Sequence, residues 1–593
     1  MRRLIPTALA ALLALPAGAA AYTPREHALY QDGPSGRYLL DQGWTNSSSR
    51  SGPFRAVSVP NAFNSHDYTT RGDRSHVQWY RERFTLPAAA DAAGWRLRFE
   101  SVSVRADVWL NGRRIGSHAG AYLPFELPAT GIRRGPNELL VRVDGRAEPA
   151  DLPPKGRSRG WWNYSGILRE VYLRKVGKLD LGDPQVTVTS LDPAHVTLSA
   201  QVRNASRGTL DPSAAVEVSG PNGYSASLPL TGSALGAGRL GTLAGQFDIP
   251  SPALWSPASP SLYLLTVRLP GGQVTTLHFG VRTWSKAPDG QPLLNEQPLD
   301  LRGASFHEET LAHGAALTPA DETTIADQLT ALGADFAREH YPPSPQLLEA
   351  FDRLGIVFWE QLPVWRLRGS DLTSKPLNRV ILDRLRQTLL RDRNHASVIA
   401  WSVENEVVRH GAQESRFLDQ AKAQVRKLDP TRFFAVDQTV TAHGSLPSYY
   451  SKLDALGISE YIGWYGTDPI SSVRPALDAV RASLPGVALF VTEFGAEANR
   501  SGPAKQKGTY AFQQQWLDQQ LGALDATPYL GGAIVWLLRD YAVRPGWGGG
   551  NPRPSPPFGK KGLLDQNGRQ KPAWAVAKRH FDAVRSTQGQ GGI

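Results

Sequence analysis

From Leu299 onward the chain alternates short apolar runs with amphipathic stretches, and it does so eight times. The runs cover 299–303, 334–338, 356–359, 398–401, 433–436, 456–459, 488–491 and 532–536. Helical periodicity falls between most of them, over 319–332, 377–391, 413–428 and 505–524. Strands buried on both faces read as continuous apolar runs, and parallel strands need helical crossovers. Eight such units predict a closed (β/α)8 TIM barrel over 285–593, a fold that places its chemistry at the C-terminal strand ends.

Two of the runs end in glutamate. Val398-Ile-Ala-Trp-Ser-Val-Glu-Asn-Glu406 closes on Asn405 and Glu406, and Ala488-Leu-Phe-Val-Thr-Glu493-Phe-Gly495 carries Glu493. They fall on strands four and seven of the expected barrel. Retaining glycoside hydrolysis needs two carboxyls about 5 Å apart, one protonating the leaving oxygen and the other attacking the sugar carbon. Strands across a narrow barrel can hold that gap. Burial and a neighbouring carboxylate both raise a carboxyl pKa, which keeps one of the pair protonated. Glu406 is expected to be the acid/base and Glu493 the nucleophile.

Other polar and aromatic residues collect at the same strand ends. His307 and Glu308 follow strand one, Arg338 and His340 strand two, and Tyr461, Trp464 and Tyr465 strand six; Trp536 ends strand eight. Arg338 and Tyr461 are expected to hold Glu493, Asn405 to bond the sugar 2-hydroxyl, and Trp536 to form a sugar platform. No helix-spaced His pair accompanies His307 and His340, so no metal is expected. The chain has no Cys, which excludes disulfides and thiolate sites. The stretch from Tyr541 to Pro557, rich in Arg, Gly and Pro, is expected to border the site mouth as a mobile loop.

Upstream the pattern is all β. Residues 22–178 carry alternating strands with an Asn111-Gly112 hairpin signal and read as a jelly roll. Residues 179–284 read as an immunoglobulin-like sandwich, and Ser285 to Gln297 as the boundary to the barrel. Residues 1–21 carry Arg2 and Arg3, an apolar core and a small-residue end. They read as a secretory signal, so a secreted or periplasmic protein without a membrane anchor is expected. The formal charge of +11 comes from scattered Arg with no nucleic-acid motif, so no nucleic-acid partner is expected.

These residues resemble glycoside hydrolase family 2 over nearly the whole chain after the leader. Trp161-Trp-Asn-Tyr-Ser-Gly-Ile-Leu-Arg169 looks like its sugar-binding-domain signature. Arg302-Gly to His307-Glu308 and Arg338-Glu-His-Tyr-Pro342 look like its strand-one and strand-two motifs, the latter shortened by one residue. Trp401-Ser-Val-Glu-Asn-Glu406 matches its acid/base motif with Glu404 where Gly is usual, and Thr492-Glu-Phe-Gly495 its nucleophile motif. The resemblance implies an exo-acting retaining β-glycosidase with no redox cofactor, a carbohydrate or glycoside as partner, and room for a homo-oligomer.

Around Glu460-Tyr-Ile-Gly-Trp-Tyr465 the likeness is to β-glucuronidases, which grip a uronate carboxylate with an Asn-x-Lys pair. Here Lys561 keeps the cation, Gly559 replaces the Asn, and Gly160 replaces an Asp of the family. A β-glucuronide-like substrate ranks ahead of β-galactosides and β-mannosides. Glu404 and the shortened motif give the alternative of an inactive carbohydrate-binding protein. An endo-acting polysaccharidase would share the same glutamates.

Overall fold

The computed structural model describes residues 22–86, 94–155 and 159–590. The expected secretory signal lies outside the described residues. The chain forms three modules in sequence: a jelly-roll sandwich, an immunoglobulin-like sandwich and a (β/α)8 barrel.

In the first, a six-stranded sheet built around Val77–Thr85, Arg105–Leu110 and Pro136–Asp144 faces a four-stranded sheet containing Gly94–Phe99 and Val171–Val176. Tyr80, Phe84, Val108, Val141, Phe99 and Leu173 meet between the sheets as one apolar core. Asn111 and Gly112, with φ of 51° and 80°, make the tight hairpin after Arg105–Leu110. Both residue types tolerate that left-handed backbone.

The second module shows why alternation is informative. Ala194–Asn204 alternates buried and solvent-facing residues along its length, with Val196, Leu198, Ala200 and Val202 inside. Only one face of such an antiparallel sheet is packed. The segment Gly33–Pro34 of the amino-terminal region pairs with Val274–Phe279, so the two sandwiches are stitched at an edge.

The barrel strands are β1 (Leu301–Ser305), β2 (Phe336–Arg338), β3 (Val357–Gln361), β4 (Val398–Asn405), β5 (Phe433–Val440), β6 (Ala455–Glu460), β7 (Ala488–Phe494) and β8 (Leu530–Val535). They close in that order as a parallel barrel. Outside them lie α1 (Pro319–Leu332), α2 (Pro345–Leu354), α3 (Lys375–Asp392), α4 (Ala412–Leu428), α5 (Val473–Ser483), α6 (Tyr510–Asp525) and α7 (Ala573–Gln590). After β5 a short 3-10 turn, Ser448–Lys452, stands where a helix would complete the alternation.

Large and small side chains interdigitate inside the barrel: Phe336, Trp359 and Phe490 against Ala400, Ala435 and Ala455. The stretch from Ser285 to Gln297, read from sequence as a boundary, is folded. Its strands Trp284–Lys286, Pro292–Leu294 and Gln297–Pro298 form a small meander. Trp284 and Leu294 share the apolar cluster of the barrel interior, and thereby seal its N-terminal end.

Candidate active site

At the other end, two irregularities re-aim the strand termini. On β4 the register against β5 slips between Ser402 and Asn405, and on β7 the register against β6 slips before Glu493. Such bulges turn a side chain away from the strand's regular alternation. Glu406 follows with φ of 49°, a left-handed backbone held by its N–H donating to the Asp437 carbonyl at 2.8 Å. Glu406 and Glu493 thereby come to line one cavity of about 250 Å³.

Beneath them lies a buried polar hub. Asp437 accepts from Trp359 Nε1 at 3.0 Å and from the hydroxyls of Ser402 and Thr492, and faces Arg338 Nε at 3.5 Å. Gln361 Oε1 accepts from Arg338 Nε at 3.1 Å. Thus fixed, Arg338 donates to Glu493 Oε2 at 2.9 Å, while Tyr461 donates to Oε1 at 2.6 Å. Glu493 is therefore gripped at both oxygens by donors, the geometry an anion accepts. Burial first, then Glu493, push the Tyr461 phenol well above its usual range, so it stays a donor.

Glu406 has a different environment. Only 12% of its side chain is exposed, and Arg366 Nη1 stands 4.0 Å away. Burial, then the charge of Glu493, push its pKa up to about 7; Arg366, a hydrogen bond with Thr439 and Arg338 pull the other way. One carboxyl is thus held protonated near neutrality beside another that accepts from a donor at each oxygen.

Of the other residues expected from sequence, His340, Tyr461, Tyr465, Trp536 and Lys561 line the cavity. His340 stacks on Trp161 of the jelly roll at 5.2 Å. Its ring is held neutral, well below the usual histidine range, by burial and then by Arg338. Lys561 Nζ donates to Tyr465 Oη at 2.7 Å and lies 5.0 Å from the Tyr461 ring. Lys560, by contrast, turns away to Gln566 and Asp540.

Four expectations are corrected. Glu308 does not face the cavity: its carboxylate accepts from Arg169 at 2.7 Å and from the Ser344 N–H at 2.9 Å. Trp464 is packed inside and donates to the Gly549 carbonyl at 2.9 Å. His307 lies behind the wall, stacked on Tyr541 at 4.5 Å, with its pKa pushed down to about 3 by burial and then Arg338. Asn405 is buried under His340, 3.4 Å from its Nδ1, rather than on the cavity surface. A strand-end position sets height along the barrel; the pleat and the bulge set direction.

Glu404 also points away, toward α4. Burial and the charge of Glu414 raise its pKa well above the usual range, and Glu414 is bonded by Tyr449, Tyr450 and His410. The loop after β8 borders the mouth as expected, but it is packed: a Cβ on Gly549 would lie 1.9 Å from Glu497 Oε1.

The sequence reading missed Asp437, Trp365, Arg366, Thr439, Asp468 and Tyr541. All but Asp437 line the cavity. Trp365 and Arg366 follow strand three, so the strand-end rule that found the others would have reached them.

A (β/α)8 barrel with two glutamates converging at its C-terminal face defines the class. More particularly, the chain belongs to the glycosyl hydrolases of family 2. The family's sugar binding domain matches residues 36–177, its central domain 180–282 and its TIM barrel domain 286–547. A β-glucuronidase of Paenibacillus borealis is 26% identical over 528 residues, covering 80% of this chain and 83% of that protein. A β-galactosidase of Thermoanaerobacter pseudethanolicus is 28% identical over 390 residues, 64% of this chain and 51% of the relative. The chain spans about half the length of several curated relatives it matches. In fold it is similar to a family 2 β-galacturonidase from Eisenbergiella tayi bound to galacturonate, with TM-score 0.82, 24% identity and coverage of 93% and 98% of the two chains.

Proposed function

We propose that the chain is a retaining exo-β-glycosidase that removes a terminal β-linked uronic acid. The observation that carries the reading is the asymmetry of the two glutamates on one cavity. Glu493, gripped by Arg338 and Tyr461, attacks the anomeric carbon while Glu406 gives its proton to the bridging oxygen, and the leaving group departs. The glycosyl-enzyme ester neutralises Glu493. Its charge no longer raises Glu406, which then takes a proton from water as that water attacks the same carbon and releases Glu493.

The uronide preference rests on Lys561. It is 5% exposed, lines the cavity, and forms no ion pair among the described residues. A sunken ammonium without a counter-ion favours an anionic group on the bound sugar. The printed activities of the Paenibacillus and Eisenbergiella proteins support the same class. A cavity of about 250 Å³ is below the about 300 Å³ at which drug-sized pockets begin, and suits a single terminal ring. Residues 1–21 support export of the enzyme.

The test is a panel of nitrophenyl β-glycosides with a 2-deoxy-2-fluoro inhibitor of the preferred sugar. Turnover of the glucuronide or galacturonide, with a covalent adduct on Glu493 by peptide mass mapping, is expected. Glu493→Gln is expected to lose turnover and keep its fold. Full activity in that variant, or an adduct elsewhere, would overturn the assignment.

A further inference from the structure

Glu493 and Lys561 face the ring that is cleaved. The group that leaves must emerge beside Glu406, because the acid has to reach the bridging oxygen. That rim is built from the segment after β3. Its residues are stitched to the end of β4: the Arg366 N–H donates to the Asn405 carbonyl at 2.9 Å, and Trp365 bridges Asn405. Arg366 has φ of 51°, a left-handed backbone uncommon for a residue with a side chain.

Among the described residues its side chain is spent on nothing else. It is 50% exposed, lines the cavity, and donates no hydrogen bond among the described residues; its sole charged neighbour there is Glu406, at 4.0 Å. The guanidinium lies 5.7 Å from the Trp365 ring centroid. Trp365 and Trp547 meet at 6.4 Å, and Arg544 lies 5.5 Å over Trp547. The rim is therefore a strip of cation, two indoles and cation. Trp547, half-buried, offers an apolar surface to a ring, backed by the buried Trp365 that also lines the cavity, and the guanidinium offers unspent donors in the fork that matches carboxylate or sulfate oxygens.

We propose that this rim is a leaving-group subsite for a ring bearing a carboxylate or sulfate, with Arg366 as its specificity-determining residue. The proposal rests on Glu406 being the acid. It assigns the enzyme to acidic glycans or acidic aryl conjugates, in which the unit after the scissile bond is itself an anion.

The test uses matched aryl β-glycosides of the preferred sugar. The 4-carboxyphenyl and 4-carbamoylphenyl glycosides differ in charge but little in shape, as do the 4-sulfonato and 4-sulfamoyl pair. The kcat/KM ratio within each pair, at one pH, cancels any effect of Arg366 on the acid itself. A partly exposed guanidinium–anion contact predicts a wild-type ratio of about 5–20 in favour of the anion. Arg366→Gln should bring it to about one, and Arg366→Lys should restore part of it. Preference in only one pair identifies the anion. A wild-type ratio of one in both pairs, or a ratio that Arg366→Gln leaves unchanged, would overturn the proposal while the glycosidase reading stands. Failure of every glycoside to turn over, with no adduct on Glu493, would instead sink that reading and this proposal with it.

Discussion

Replacing Glu493 with alanine removes a charge that Glu406 feels, and the effect can be sized. Glu406 lies near 7 because burial, and next the charge of Glu493, raise it from 4.5. Two carboxylates at the roughly 5 Å of a retaining pair interact by about 3 kcal/mol at an effective dielectric near 20, or roughly two pH units. Arg338 is present in both proteins and cancels, but the cavity mouth is open to water, Arg366 beside Glu406 being half exposed, and solvent screens part of that interaction. The net fall should therefore be roughly one unit. Burial, the larger cause, is untouched, so Glu406 should stay above its ordinary value. An alanine variant lacks the nucleophile, but azide can enter the vacated space and displace the leaving group. With a phenyl glycoside, whose leaving group needs a proton, and azide kept far below saturation, the pH dependence of the second-order rescue constant reads the acid before the azide anion restores the lost charge. The acid works only when protonated, so a lower pKa brings the alkaline loss of rate to lower pH. The wild-type limb is expected near pH 7 and the rescued limb about one unit below it. A rescued limb at or above the wild-type position would refute the claim that these two carboxyls oppose each other across one cavity.

Two other outcomes follow from side chains already described. Lys561→Met should cut the ratio of kcat/KM for a uronide over its neutral glycoside counterpart by about 100-fold, since a buried charge-assisted bond is worth roughly 2–3 kcal/mol; an unchanged ratio would remove Lys561 from substrate recognition. Glu309 accepts from the Ala542 N–H at 2.7 Å, and its pKa is raised to about 8, chiefly by burial. A carboxyl raised on folding adds stability that is full below its unfolded pKa of about 4.3 and is lost as pH climbs through the folded value. Glu309→Gln, which keeps the accepting oxygen, should flatten the fall in Tm between about pH 5 and 8, a window worth at most roughly 4 kcal/mol for this one group; an identical slope in the two proteins by differential scanning fluorimetry would contradict it.

The barrel was legible because its strands are covered on both faces and so appear as unbroken apolar runs. Helix α1 was legible to its ends for a local reason. Thr318 and Asp321 form a capping box, Pro319 opens the first turn, and Gly333 closes the helix at φ of 81°. The paired glutamates were legible because each ends such a run. Their convergence was not, since it depends on register slips in β4 and β7 that leave no mark in composition or periodicity. The same holds for Glu308, Trp464 and Glu404, which sit at the right height and face elsewhere. Trp547 and Tyr541 reach the cavity through the path of a loop, and Asp437 matters through four partners on four other strands, none of them near it in sequence.

The contact between Arg169 and Glu308 has a consequence for how this molecule can be cut and rebuilt. Arg169 comes from the jelly roll, yet it donates to Glu308 and to the Pro342 carbonyl, on the loops that follow β1 and β2. Trp161, from the same module, supports His340 at the cavity wall. A barrel excised by protease or by gene truncation would lose a piece of its own catalytic scaffold along with its neighbour. The amino-terminal module is thus no detachable accessory, and grafting it between relatives requires carrying both halves of that seam together.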